Sequence, residues 1–386
     1  LRCVAIATLL LLSLSLKAGD ADLTPKIPPG YKPDGANDEK GMWLELEEYE
    51  QAIQRSPLLV KDPFINAYVR DVTCRVTGEY CADLRIYIIR NPYFNASMTA
   101  NGIVQVWTGL LLRVSSEDEL AAVLGHELAH YTQLHTMDRL RRTTKAATSG
   151  SIFDMGLLVL TGVSVPVGQL TALASLMAYS RGDESEADLL GAKFMADAGY
   201  DPHAAADLWK KIVDEDANAV AKGTEPGLFS KTHPSSADRI VELNRFVDEN
   251  FPEATADPAN KQSHLDMLNA YYLMLMEDQI DTNRFGRTEV LLDRHRQMGV
   301  QEELVHFFHG EMYRQRDEAG DMEFAIKAYT LAAQGDNPVP DAYRNLGYIY
   351  LKQDNLPQAQ YNFRQYLELE PDADDRAMIE FYLNED

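Results

Sequence analysis

His126-Glu127-Leu128-Ala129-His130 holds the residues best suited to chemistry in this 386-residue chain. Two histidines four positions apart project from one face of a helix, so both imidazoles can reach a single metal ion. Hydrolytic chemistry at such a site asks for neutral nitrogen ligands, one coordination position left to water, and a carboxylate close enough to take that water's proton. Glu127 supplies the carboxylate. The pattern works only on a helix, and the sequence predicts one from about 117 to 140, with Ser116 and Glu119 as a capping box and Leu120, Ala121, Val123, Leu124 and Leu128 as its apolar face.

A catalytic zinc site needs a third protein ligand. His135 is one candidate, but the three-histidine proteases place Gly and then His at the third and sixth positions after the second ligand, where this chain has Gln133 and Thr136. His135 therefore reads as an ordinary polar residue near the helix end. The second candidate is the run Ser180 to Asp188, in which Glu184 and Asp188 share a helix face while Glu186 points elsewhere. Glu184 reads as the third metal ligand, and Asp188 as the partner that holds the free N–H of a ligating histidine.

At this point the chain resembles the M48 zinc metallopeptidases, through H-E-x-x-H followed by the E-x-x-A-D of Glu184 to Asp188. Asn95-Ala96-Ser97-Met98 with Asn101-Gly102, Val106-Trp107-Thr108-Gly109-Leu110, and His233-Pro234 with Arg239 resemble further family segments, although Ser97-Met98 replaces the usual aromatic or apolar residues. The resemblance covers roughly 60 to 245. It implies an α+β, mostly α, gluzincin-type protease domain with a small sheet, in which His126, His130 and Glu184 hold one Zn²⁺ and Glu127 is the general base. It places His233 near the metal, either stabilising the oxyanion or occupying the open position as a brake, and lets Arg239 anchor its helix through Asp188 or Asp183. The envelope members of the family imply protein substrates that are misassembled or unfolded, and a partner in the outer-membrane β-barrel assembly machinery. The rival reading is a chaperone or assembly scaffold whose zinc site is largely self-inhibited.

The elements that position these residues follow from periodicity. Leu84 to Ile89 and Ile103 to Trp107 alternate as strands, whose exposed edge suits an extended substrate. Trp43 to Arg55 and Asp62 to Cys74 carry helical spacing. Ser151 to Tyr179 is conspicuously apolar but broken by Asp154, Gly156, Gly162, Pro166 and Gly168. Neither half reaches spanning length, which leaves a buried core helix, a flap over the site, or a peripheral membrane contact.

Residues 1–21 carry a basic start, an apolar run and a small-residue exit, the pattern of a signal peptide cleaved after Ala18 or Ala21. Such a chain is expected to be exported to an oxidising compartment, which the family resemblance implies is the periplasm, so Cys74 and Cys81 are expected to pair. Residues 22–40 read as a linker or N-terminal arm, 41–255 as the protease domain and 256–386 as tetratricopeptide (TPR)-like repeats. Tyr343, Leu346, Gly347, Tyr350, Ala359, Phe363 and Pro371 follow the repeat pattern, and Gly310, Tyr313, Ala325, Tyr329 and Ala332 fit a preceding copy. Residues 264–298 fit one degenerate helical pair more. Stacked helix pairs form a concave wall suited to a client or partner. The formal net charge of −24 argues against nucleic-acid binding.

Overall fold

The computed structural model describes residues 23–34, 38–146, 178–221, 227–234 and 236–384. The expected signal peptide and nearly all of the apolar stretch 151–179 lie outside these residues. In chain order the first helices are α1 (Asp38–Arg55) and α2 (Pro63–Thr77), followed by strands β1 (Arg85–Ile89), β2 (Ala96–Met98) and β3 (Ile103–Trp107). Then come α3 (Thr108–Leu111), α4 (Glu117–Thr132), α5 (His135–Ala146), α6 (Arg181–Asp197), α7 (His203–Ala221), α8 (Leu228–Thr232) and α9 (Ala237–Asn250). The C-terminal helices are α10 (Pro258–Ile280), α11 (Phe285–Met298), α12 (Glu302–Arg316), α13 (Asp321–Gln334), α14 (Pro340–Lys352), α15 (Leu356–Leu369) and α16 (Arg376–Leu383).

The sheet has the order β1-β3-β2, with β1 parallel and β2 antiparallel to β3. All five residues of β3 are buried, as befits a central strand. The outer edge of β1 is covered by the segment before α2, where Val60 N donates to Ile88 O and Arg90 N to Leu58 O. β2 forms the opposite edge and packs against α4. Cys74, in α2, is bonded to Cys81 in the short 3-10 turn that feeds β1, with the two Cα atoms 4.9 Å apart.

Residues 23–34 form no regular element, yet they are not a free linker. Lys26 N and Ile27 N both donate to Thr132 O at the end of α4, and Ile27 is buried in the core. One apolar core runs from Ile65 and Val69 of α2 through Val104, Leu120 and Leu124 to Met267 and Tyr272 of α10, and on to Ile349 of α14. The expected boundary between residues 255 and 256 is therefore not a gap in packing.

Beyond it, α12 packs with α13 and α14 with α15 in the same manner. Gly310 faces the Tyr329 ring and Gly347 faces the Phe363 ring, each so closely that a Cβ would overlap the ring. Among the described residues no helix is long and apolar enough to cross a membrane.

Candidate metal centre

α4 is buried along its whole length from Asp118 to Thr132. Ser116 Oγ accepts from Glu119 N (3.3 Å), but the Glu119 carboxylate turns back to Ser115 N (2.8 Å), so the reciprocal cap closes one residue earlier than expected. The helix expected to run to about 140 instead breaks at Gln133-Leu134, where Leu134 adopts φ 60°. No Gly or Pro marks this position, so the sequence hides the stop. The turn swings His135, at the start of α5, back against His130.

α6 crosses α4 at two glycines. A Cβ on Gly191 would stand 2.9 Å from His126 N, and one on Gly125 would stand 3.0 Å from Gly191 O. This close backbone approach brings the histidine pair of α4 and Glu184 of α6 to one point. His130 Nε2 lies 3.0 Å from His126 Nε2 and 3.5 Å from Glu184 Oε1, while His126 Nε2 lies 3.7 Å from Glu184 Oε2. His233, just past α8, enters the same cluster with Nδ1 3.3 Å from His126 Nε2 and 3.1 Å from Glu184 Oε1.

The donor set fits a metal ion. Ligand atoms at zinc distances of about 2.0–2.1 Å in a tetrahedron stand about 3.3 Å apart, and these four residues supply atoms all within 4.8 Å of one another. Both Glu184 oxygens are buried without a hydrogen bond, although Arg239 Nη1 approaches Oε2 to 2.7 Å. Arg239 pairs with Oε2, while Oε1 has imidazole nitrogens of His130 and His233 facing it at 3.5 and 3.1 Å, a set of lone-pair donors suited to hold a cation.

Residues 61–247 match peptidase family M48. The chain carries a peptidase family M48 domain. It is 36% identical over 184 residues to the mitochondrial metalloendopeptidase OMA1 of Schizosaccharomyces pombe, covering 46% of this chain and 50% of that protein. It is 26% identical over 267 residues to the beta-barrel assembly-enhancing protease of Yersinia pestis, covering 67% and 52% of the two chains. The Escherichia coli protein of that name is 21% identical over 276 residues, covering 68% and 56%. The chain spans about half the length of the curated relatives it matches.

Within the M48 domain, each clustered side chain has a partner behind it. Asp188 Oδ1 lies 3.0 Å from His126 Nδ1 and also accepts from Trp209 Nε1 (3.1 Å). Arg239 Nε donates to Asp188 Oδ2 (2.8 Å) and Nη1 to Pro234 O (2.8 Å), so one guanidinium ties α9, the His233 loop and α6 together. Asp183 is not Arg239's partner; it closes a capping box with Ser180 at the start of α6. His130 Nδ1 lies 3.0 Å from His135 Nδ1, and His135 Nε2 lies 3.2 Å from Glu186 Oε2. His135 and Glu186 are thus not peripheral, contrary to the sequence reading.

Glu127 points to the other side of the cluster. Its Oε2 accepts from Met98 N (3.1 Å), a group on the outer edge of β2, and its Oε1 lies 3.5 Å from His233 Nε2. Burial pushes its pKa up to about 7, against the lowering effect of His126 and Arg139. A carboxyl poised there can exchange protons near neutral pH. Burial likewise pushes the His130 pKa well below the ordinary histidine value, which favours its neutral, ligating form.

Aromatic rings close the centre. Tyr179 stacks on His130 with centroids 3.7 Å apart, and Phe229 stacks on His233 at 4.4 Å. Tyr179 is the one ring of the expected apolar stretch that falls among the described residues, and it sits on a candidate ligand. Neither ring was legible from motif spacing.

Proposed function

We propose that this chain is an exported zinc-dependent endopeptidase acting on misassembled or unfolded envelope proteins in the periplasm. The observation that carries the reading is the convergence of His126, His130 and Glu184, all buried, beside a carboxyl held at the sheet edge. When bound by these three residues, zinc supplies a Lewis acid for the peptide carbonyl and lowers the pKa of water. Glu127 takes the proton of the attacking water at Oε1, while Met98 N holds Oε2 in place, and then passes the proton to the leaving amine. The strand edge expected to receive an extended substrate is not open at these positions: residues 58–60 cover β1, β3 is central, and the outer N and O of Met98 in β2 are taken by Glu127 and Thr136 Oγ1.

The C-terminal helices, read as a TPR-like arm over 256–386, serve as a surface for clients or for β-barrel assembly factors. The names of the bacterial relatives support this assignment, as do the paired helices built around Gly310 and Gly347.

A second reading has its own observation. His233 contributes a fourth protein atom to the cluster, where a catalytic site keeps a position for water. In that state the protein binds clients as a chaperone or scaffold with its chemistry braked. Cleavage of casein by the wild-type chain and by Glu127→Gln tests the enzyme: equal activity in both discards the reading, and loss of cleavage in the variant with zinc retained supports it.

A further inference from the structure

We infer that His135 and Glu186 are positioning residues that lock His130 into the tautomer able to ligate the metal. The inference rests on the proposed zinc site and adds to it two residues that motif spacing leaves out.

The number of ring protons available fixes the direction of these contacts. His130 presents Nε2 to the cluster, 3.0 Å from His126 Nε2 and 3.5 Å from Glu184 Oε1. A neutral imidazole carries one ring proton, and a ligating nitrogen carries none, so the proton must sit on Nδ1. That atom is buried, and the group facing it is His135 Nδ1 at 3.0 Å. His135 Nδ1 must then accept, which puts the His135 proton on Nε2. Nε2 in turn faces Glu186 Oε2 at 3.2 Å, with Asp183 Oδ1 at 4.0 Å. The chain of donors therefore has one direction, from His130 to His135 to a carboxylate.

The reverse direction is unproductive. A proton on His130 Nε2 would point into the ligand cluster and leave Nδ1 as a bare acceptor. His135 is itself no alternative ligand, since its ring meets His130 on the nitrogen opposite the cluster.

The two histidines of α4 are thus oriented differently. His126 faces the Asp188 carboxylate directly at 3.0 Å. His130 reaches its carboxylate through a neutral ring, supplied by the chain reversal at Leu134. Removing such outer partners typically weakens metal affinity about 10–100-fold.

The test uses the full chain, with zinc affinity read by competition against a chromophoric chelator. His135→Ala is expected to weaken zinc binding by about 10–100-fold. His135→Asn places an amide oxygen near the position of Nδ1 and is expected to recover most of that loss. Equal affinity in His135→Ala and wild type overturns the relay, and so does an equal loss in both variants, which would indicate packing alone. Nitrogen-15 NMR of the zinc-loaded wild type gives an answer that does not depend on a variant folding. The relay expects a proton on His130 Nδ1 and on His135 Nε2, and the opposite assignment overturns it. Failure of the wild type to take up zinc would instead remove the metal site on which the relay rests.

Discussion

The backbone of Gly191 lies against that of His126, so closely that a Cβ on the glycine would stand 2.9 Å from the histidine nitrogen. The geometry of the candidate metal centre is therefore set by a helix crossing as much as by the clustered side chains themselves. In a free helix, Gly→Ala stabilises by about 0.5–1 kcal/mol. Here Gly191→Ala is expected to reverse that sign, costing about 1–3 kcal/mol by overpacking, and to weaken zinc binding. Thermal unfolding and chelator competition check both; a more stable variant with unchanged affinity would show that the crossing has slack.

Glu127→Gln keeps the shape and the Met98 contact site but removes the proposed base. Peptide hydrolysis is expected to fall by about 10²–10⁴-fold, with zinc content unchanged. The measurement is a cleavage progress curve beside metal analysis of the same sample.

His233→Ala separates brake from helper. Nδ1 lies 3.3 Å from His126 Nε2 and 3.1 Å from Glu184 Oε1, and on the braked reading the histidine holds the position a substrate needs, so that reading expects the variant to cleave casein faster than wild type. A fall in turnover with unchanged zinc affinity would assign His233 to oxyanion stabilisation instead.

Acid should loosen the join between the M48 domain and the helices that follow it. His264 Nδ1 meets Tyr68 OH at 2.8 Å, and His295 Nε2 meets Leu112 O at 2.9 Å. Burial lowers their pKa values to about 4 and about 3. Because the folded-state values are depressed, the neutral forms stabilise the fold fully above about pH 6.5, and that stability is lost as pH falls toward 4 and 3. The two together represent on the order of a few kcal/mol. Urea unfolding midpoints at pH 7.5 and 5 should fall with acid, and less so in a His264→Gln, His295→Gln double variant.

The disulfide closes a short loop between α2 and the turn before β1. On the chain-entropy model it stabilises by about 2–3 kcal/mol. Replacing both cysteines with serine should lower the unfolding free energy by that amount without altering zinc content.

Much of the candidate site was legible because helical spacing puts chemistry on a face. The i, i+4 relation of His126 and His130 and the E-x-x-A-D run needed no structure to be noticed. What spacing could not show was three-dimensional. Leu134 ends α4 in a left-handed conformation with no glycine or proline to announce it, so His135 looked peripheral when it lies behind His130. Gly125 and Gly191 cost helix stability by propensity, and the close crossing they permit is visible only in three dimensions. Trp209, Tyr179 and Phe229 come from separate segments, and only folding brings them to the imidazoles. The arm at 23–34 shows no apolar period, yet the Lys26 and Ile27 amides anchor it by both donating to Thr132 O.

The central claim is that α4 and α6 share one ion. Elemental analysis of purified, folded full-length chain, dialysed against metal-free buffer, tests it most directly when wild type is measured beside Glu184→Ala and His126→Ala. The account predicts one zinc per wild-type chain and a large loss in each variant. A folded wild type that retains no zinc, or variants that retain it in full, would contradict it.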